Sequence, residues 1–375
     1  MEKKQKEQQE PKKSGTDQVT DTQDMISLIN SKLKKSNVAR ECKIDVIKHI
    51  PTGIYKIDGM IGGGIPVGNA SLFWGNPGSA KTTSCMRVIG EANKRCALCL
   101  DLLEECKCKK TKEFVTAYFA AEDITFTNWS KNLGISEDRL VPVYPNTAEE
   151  CCDVYLDIVR SGKVDLVILD SIAALIPEAE AAGTMSDMQQ GAQARVLGKF
   201  HRKLYSAIVD NKRQFGRTAT MLFVNQTRQK IGVMFGSNEI KPGGMAIGFA
   251  TALEIKFYAK EKPESIKDEL FESKPIIIDI SFLINKRRYG ASKAEGAYKL
   301  CLRENAGKMP GEIADEKALI TDAFYMGLLK KDGKMQKFGE YDLGTKGEDA
   351  VDFLIKNKDV AKALRRAVVE VMINL

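Results

Sequence analysis

Histidine is nearly absent from this chain of 375 residues; only His49 and His201 occur. That excludes a histidine-rich metal site and leaves almost no material for histidine-based catalysis. Long apolar runs are also lacking. No segment approaches the roughly 20 apolar residues of a membrane-spanning helix, so no membrane partner is expected. The opening MEKKQKEQQEPKKSGTDQ carries charge where a secretory leader has an apolar stretch, and the expected location is the cytoplasm. Cysteine is not scarce, at nine residues, but the count is odd. In that setting a disulfide framework is not expected.

Hydrophobic residues make up 43%, as in a globular protein, and the length suits one large core with one or two small additions. The net charge of +7 favours an anionic partner such as nucleic acid, though a merely soluble basic protein has the same charge.

Residues 1–23 lack apolar periodicity and read as a disordered tail. In DMISLINSKLKKS (24–36), Met25, Ile26, Ile29 and Leu33 recur at helical spacing with Asp24 as N-cap. This N-terminal helix, within 24–48, is a candidate oligomerisation segment. Between 49 and 290, short apolar runs alternate with helical patterns. Ala70–Trp74, 114–123, 164–171 and 218–226 read as buried strands; the segment after Lys81, 148–162 and 191–211 read as helices. Such alternation predicts a mostly parallel twisted α/β sheet with helices on both faces. TALEIKFYA and KPIIIDISFLI follow without an intervening helix and are expected to extend the sheet in antiparallel fashion. Residues 291–375, with helical patterns at 312–329 and 347–375, read as a small α-rich C-terminal domain.

GNPGSAKTT (75–83) nearly matches the phosphate-binding pattern G-x-x-x-x-G-K-[ST]. The candidate loop is Gly75, Asn76, Pro77, Gly78, Ser79, Ala80, Lys81, Thr82 and Thr83. Its backbone N–H groups and the following helix N-terminus would hold phosphates, Lys81 would add charge, and Thr82 would hold Mg²⁺. Ala80 stands where the pattern has glycine. Alanine fits there if its φ is negative, and Gly78 is then the expected left-handed residue; a positive φ would favour a decayed site. Three further buried strands end in candidate polar groups. Asp170 would hold the Mg²⁺ shell, Glu122 would activate water, and Gln226 would sense the γ-phosphate.

PTGIYKIDGMIGGGIPVGNASLFWGNPGSAKTT, SGKVDLVILDSIAALIPEAE and NQTRQKIGVMFGSNEIKPGG, in this order, resemble segments of the RecA family of recombinases. AVDFLIKNKDVAKAL is similar to that family's C-terminal domain, so the resemblance spans about 24–375. It implies a RecA-type P-loop ATPase core using ATP and Mg²⁺. It also implies a helical homo-oligomer on single-stranded DNA that pairs the strand with homologous double-stranded DNA, in a bacterial or phage-infected cell. Trp129 falls near the family's adenine-stacking aromatic, and the DNA loops would be about 178–191 and 227–244. Arg195, Arg202, Arg228, Ile231, Gly243 and Gly244 match DNA-contacting positions. Of the family's two lysines that reach a neighbour's ATP, Lys286 is kept and Ile284 replaces the other; Arg287 or Arg288 is a candidate substitute. Gly198 replaces a DNA-contacting serine. The rival readings are a RecA-fold ring helicase and a non-catalytic ATP-sensing DNA-binding regulator.

CALCLDLLEECKC places Cys96, Cys99, Cys106 and Cys108 in an insertion, about 95–113, that follows the P-loop helix. Four thiolates can close a tetrahedral Zn²⁺ site. Incidental cysteines and redox-active disulfides are the alternatives. The neighbouring Lys107, Lys109, Lys110 and Lys112 form either a DNA contact or a solvated run.

Overall fold

The computed structural model describes residues 21–33, 46–122, 128–184, 191–229, 239–242, 246–260, 263–266 and 274–375. The chain divides into two units, residues 1–46 and 47–375. In the first, helix α1 spans Asp21–Lys32 and exposes Met25, Leu28 and Leu33. It begins before Asp24, so that residue is not the N-cap, and 21–23 belong to the helix rather than to a tail. Residues 1–20 and 34–45 of the N-terminal expectations lie outside the described residues.

The second unit is built on a nine-stranded sheet among the described residues. Its strands are β1 (Ala70–Gly75), β2 (Thr116–Ala120), β3 (Leu140–Val143), β4 (Leu166–Asp170), β5 (Thr220–Gln226), β6 (Leu253–Ala259), β7 (Glu264–Ile266), β8 (Lys274–Arg287) and β9 (Glu295–Cys301). The order β3-β2-β4-β5-β1-β6 is parallel throughout. β8 then runs antiparallel to β6, and β7 and β9 both pair antiparallel with β8.

The near-continuous apolar runs of the parallel strands reflect burial on both faces. Alternate residues serve different cores: Phe73, Tyr118, Ile168 and Val224 pack with helix α3 (Lys81–Asn93), near Val88 and Ile89. Leu72, Phe119, Leu169 and Phe223 pack with helices α4 (Ala148–Ser161) and α5 (Ala192–Phe215). Each crossover helix thereby returns the chain to the start of a parallel strand and aligns the strand ends along one edge. α4 shows the local grammar: the Thr147 hydroxyl accepts from the Glu150 N–H at 3.2 Å, and Gly162 stops the helix at φ +64°.

The sheet does not stop at 290. β9 pairs with β8 from Ile277↔Cys301 to Leu283↔Glu295, so the sequence boundary at 291 falls inside the sheet. Beyond it, helices α7 (Glu316–Tyr325), α8 (Gly347–Lys356) and α9 (Lys358–Asn374) share a third apolar cluster with Tyr55 of helix α2 (Tyr55–Met60). A polar three-stranded meander at residues 330–344 interrupts these helices, which the α-rich reading did not include. Among the described helices none is long and apolar enough to cross a membrane.

Candidate active site

β1 delivers the chain to Gly75, where a Cβ would lie 2.1 Å from the Phe257 carbonyl oxygen; only glycine fits. The Asn76 carbonyl then gathers the loop: the Ser79 hydroxyl and the Lys81 ammonium each donate to it at 2.7 Å. Gly78 is left-handed at φ +73°, with open space beyond its Cα.

Ala80 is left-handed as well, at φ 62° and ψ 24°, immediately before α3. The expectation of a negative φ is therefore overturned. The loop enters the helix through a left-handed turn, which the pattern's glycine normally accommodates. Alanine bears a penalty of roughly 1–2 kcal/mol there. The signal was the missing glycine itself, which marks backbone conformation rather than helix propensity.

Thr82 in the first turn of α3 donates from Oγ1 to Asp170 Oδ2 at 2.7 Å. Asp170 ends β4 level with Ala120 of β2 and is 1% exposed. Burial raises its pKa; the hydrogen bonds from Thr82 and Tyr118 oppose that rise. Burial lowers the pKa of Lys81, and the Asp170 and Glu122 carboxylates oppose that change. Glu122, two residues beyond β2, accepts from Gln226 Nε2 at 2.6 Å through its Oε1. The Ser171 hydroxyl donates to the same oxygen. Gln226 ends β5 level with Gly75.

Lys81, Thr82, Glu122, Asp170 and Gln226 thus meet at the carboxyl ends of four adjacent parallel strands, where open α/β sheets bind ligands. They line a cavity of about 320 Å³, and half-buried Trp129 forms part of its wall. The donor set fits a nucleotide polyphosphate with Mg²⁺: a loop closed by its own carbonyl, a lysine, and a hydroxyl–carboxylate pair suited to a hard cation.

Two contributors were missed from sequence. The Tyr118 hydroxyl donates to Asp170 Oδ2 at 2.8 Å. A tyrosine in a fully buried strand needs such a partner, and that requirement was the available signal. Ser171 directly follows Asp170 and carried no separate signal.

Lys286 does not line this cavity. Its ammonium donates to the Gly248 and Thr251 carbonyls at 2.6 Å each, capping helix α6 (Ala246–Ala250). Ile284 is fully buried in the core, and Arg287 donates to the Met60 carbonyl. Arg195 and Arg202 are exposed two turns apart on α5, hence on one face. Arg228 is exposed just after β5 and donates to the Ala173 carbonyl at 3.3 Å. Ile231, Gly243 and Gly244 lie outside the described residues.

The sulfurs of Cys96, Cys99, Cys106 and Cys108 lie within 4.8 Å of one another, an arrangement able to hold a metal ion.

Comparison with known proteins finds one family. The sequence profile of the RecA N-terminal domain matches residues 21–278. Protein RecA of Tropheryma whipplei is 31% identical over 339 residues, which cover 90% of this chain and 69% of that protein. Protein RecA of Caldanaerobacter subterraneus is 29% identical over 351 residues, covering 92% and 91%. For Protein RecA of a Wolbachia species the identity is 29% over 370 residues, covering 97% and 93%.

Proposed function

The chain belongs to the RecA family, and from that premise we propose that it is a DNA-dependent ATPase that assembles as a helical filament on single-stranded DNA and catalyses homologous pairing and strand exchange. The observation that carries this reading is the meeting of Lys81, Thr82, Glu122, Asp170 and Gln226 in one cavity. ATP and Mg²⁺ are its cofactors in this reading, with Zn²⁺ on the four thiols as a structural metal.

Thr82 and Asp170 would hold the Mg²⁺, which when bound neutralises charge on the β- and γ-phosphates. Lys81 supplies a fixed positive charge to the same groups. Glu122 is the base that takes a proton from water, oriented by the hydrogen bonds of Ser171 and Gln226. Gln226 touches Glu122 and leads directly into the loop that reaches Arg228, so it can relay DNA contact to the base. Arg195, Arg202 and Arg228 pair DNA phosphates, and Ile231, Gly243 and Gly244 are further DNA-contacting residues in this reading. Trp129 stacks on the adenine, and Lys286 leaves its α6 carbonyls to reach a neighbouring subunit's nucleotide. The head-to-tail contact is heterologous and does not close, which yields a filament. The N-terminal segment is the linker to the neighbour, and the working location is the cytoplasm.

A second reading, a non-hydrolysing ATP sensor, is favoured by the positive φ of Ala80. ATP hydrolysis with and without single-stranded DNA separates the two, followed by strand exchange between homologous DNAs. Stimulated hydrolysis that Lys81→Ala abolishes supports the recombinase. Absence of stimulation and of filaments with an ATP analogue would sink it.

A further inference from the structure

The insertion of residues 95–113 leaves α3 at its far end and returns to β2, away from the phosphate loop. Its two ends are joined by an antiparallel bridge, Cys96↔Glu113, and by the Ala97 N–H donating to the Lys112 carbonyl at 2.6 Å. Inside, the Leu100 N–H donates to the Cys96 carbonyl at 2.8 Å, and Leu100 itself is left-handed at φ +70°. The apolar content is small: Cys96 and Leu102 are buried and Ala97 and Leu100 are partly buried against the main core, while Leu98 is 46% exposed. So few buried side chains do not offset the entropy of ordering such a segment.

The sulfurs explain the order. Cys99 Sγ lies 3.6 Å from Cys106 Sγ, far beyond the ~2.05 Å of a disulfide. A tetrahedral ion with Zn–S bonds of ~2.3 Å sets its sulfurs ~3.8 Å apart; the Cys99–Cys106 separation is close to that, and all four sulfurs lie within 4.8 Å of one another. An all-thiolate tetrahedral set suits zinc, with mononuclear iron as the competing metal.

The tip between the two sulfur pairs carries Glu104 and Glu105. Glu104 faces Lys362 at 4.0 Å and Glu105 faces Arg366 at 3.7 Å, both basic residues lying on α9. These pairs are exposed, and exposed pairs of this kind contribute little by themselves. Something else must present the tip.

We propose that one Zn²⁺ ion on Cys96, Cys99, Cys106 and Cys108 fastens the insertion and thereby ties the end of the P-loop helix to α9 through Glu104 and Glu105. The ion displaces the thiol protons as it binds and closes the site without an open position, so its role is structural. This rests on the zinc reading above and is independent of the ATP site. α3 is 13 residues long, so the two sites are separated by about 20 Å of helix.

The test uses the full chain purified with a reductant. Metal analysis is expected to find one zinc per chain, and cobalt exchange to give the intense visible bands of a tetrahedral thiolate site. Less than a tenth of a zinc per chain, or iron in its place, overturns the metal assignment. A zero-length carbodiimide cross-link between Glu104 and Lys362 is expected in the zinc-loaded protein. Chelation should lower its yield at least fivefold and open trypsin cleavage at Lys107, Lys109 and Lys110. Cys99→Ser with Cys106→Ser should do the same while nucleotide binding is kept. A cross-link missing from the loaded protein, or unchanged after chelation, overturns the fastening and leaves zinc binding standing.

Discussion

The Tyr118 hydroxyl and the Thr82 hydroxyl converge on one oxygen, Asp170 Oδ2, from β2 and α3 respectively, at 2.8 and 2.7 Å. One side of the Asp170 carboxylate is therefore held before any cation arrives. Tyr118→Phe keeps the ring in its fully buried seat and removes only the donor. A hydrogen bond to a charged acceptor contributes on the order of 1.5–3 kcal/mol, partly recovered by the remaining partner. The Mg²⁺ concentration for half-maximal ATP binding and hydrolysis should rise about three- to tenfold, with thermal stability nearly unchanged. An unaltered Mg²⁺ titration would remove Tyr118 from the site's machinery.

Ala80 offers a second measurement. At φ 62° its Cβ is strained where glycine is not. Ala80→Gly should raise unfolding free energy by about 1 kcal/mol, because the relief of left-handed strain exceeds the entropy of the freer unfolded chain. ATP hydrolysis should be equal or higher. Wild-type protein without hydrolysis, restored by this substitution, would establish the decayed-site reading instead.

Glu122 can be separated from binding. Glu122→Gln preserves an acceptor for Gln226 and Ser171 but cannot take a proton. Hydrolysis should fall by roughly 10²–10⁴-fold, while nucleotide affinity and filament assembly persist. Loss of nucleotide binding in parallel with hydrolysis would reassign Glu122 to a structural role.

What could be read in the sequence divides along physical lines. Apolar runs such as VDLVILDS announced both the parallel strands and the carboxylates at their ends, because burial on two faces leaves a polar residue only where the strand exits. The αL geometry of Ala80 was misread because helix propensity was weighed without the turn into the helix. β9 was lost to the C-terminal domain although EGAYKLC alternates in burial, since its partner, β8, lies across the turn of residues 288–294. The meander at 330–344 has strands of three or four residues in which only Leu343 is buried, too short for a period, yet Asp332-Gly333 carries the hairpin turn signal. Lys286 illustrates a different limit. Its partners, the Gly248 and Thr251 carbonyls, are fixed by packing that no local pattern encodes.

His201 supplies the pH-dependent prediction. It sits on α5 at 6% exposure between the Phe200 and Phe223 rings, and neither ring nitrogen has a partner among the described residues. Burial alone pushes its pKa down to about 4. In the unfolded chain the ordinary value is about 6.5, so between these limits the unfolded state binds the extra proton. The contribution of neutral His201 is fully present above about pH 6.5 and is lost as the pH falls towards 4, by on the order of 3 kcal/mol in all. His201→Leu has nothing to protonate and leaves no polar atom unpaired. Denaturant unfolding at pH 7 and pH 5 should therefore show a smaller loss of stability on acidification for the variant than for the wild type. The variant should be at least as stable at pH 7, because an unpaired buried polar group costs about 1–3 kcal/mol. Equal losses in the two proteins would mean that His201 reaches water or a partner in solution, and that acid sensitivity originates elsewhere.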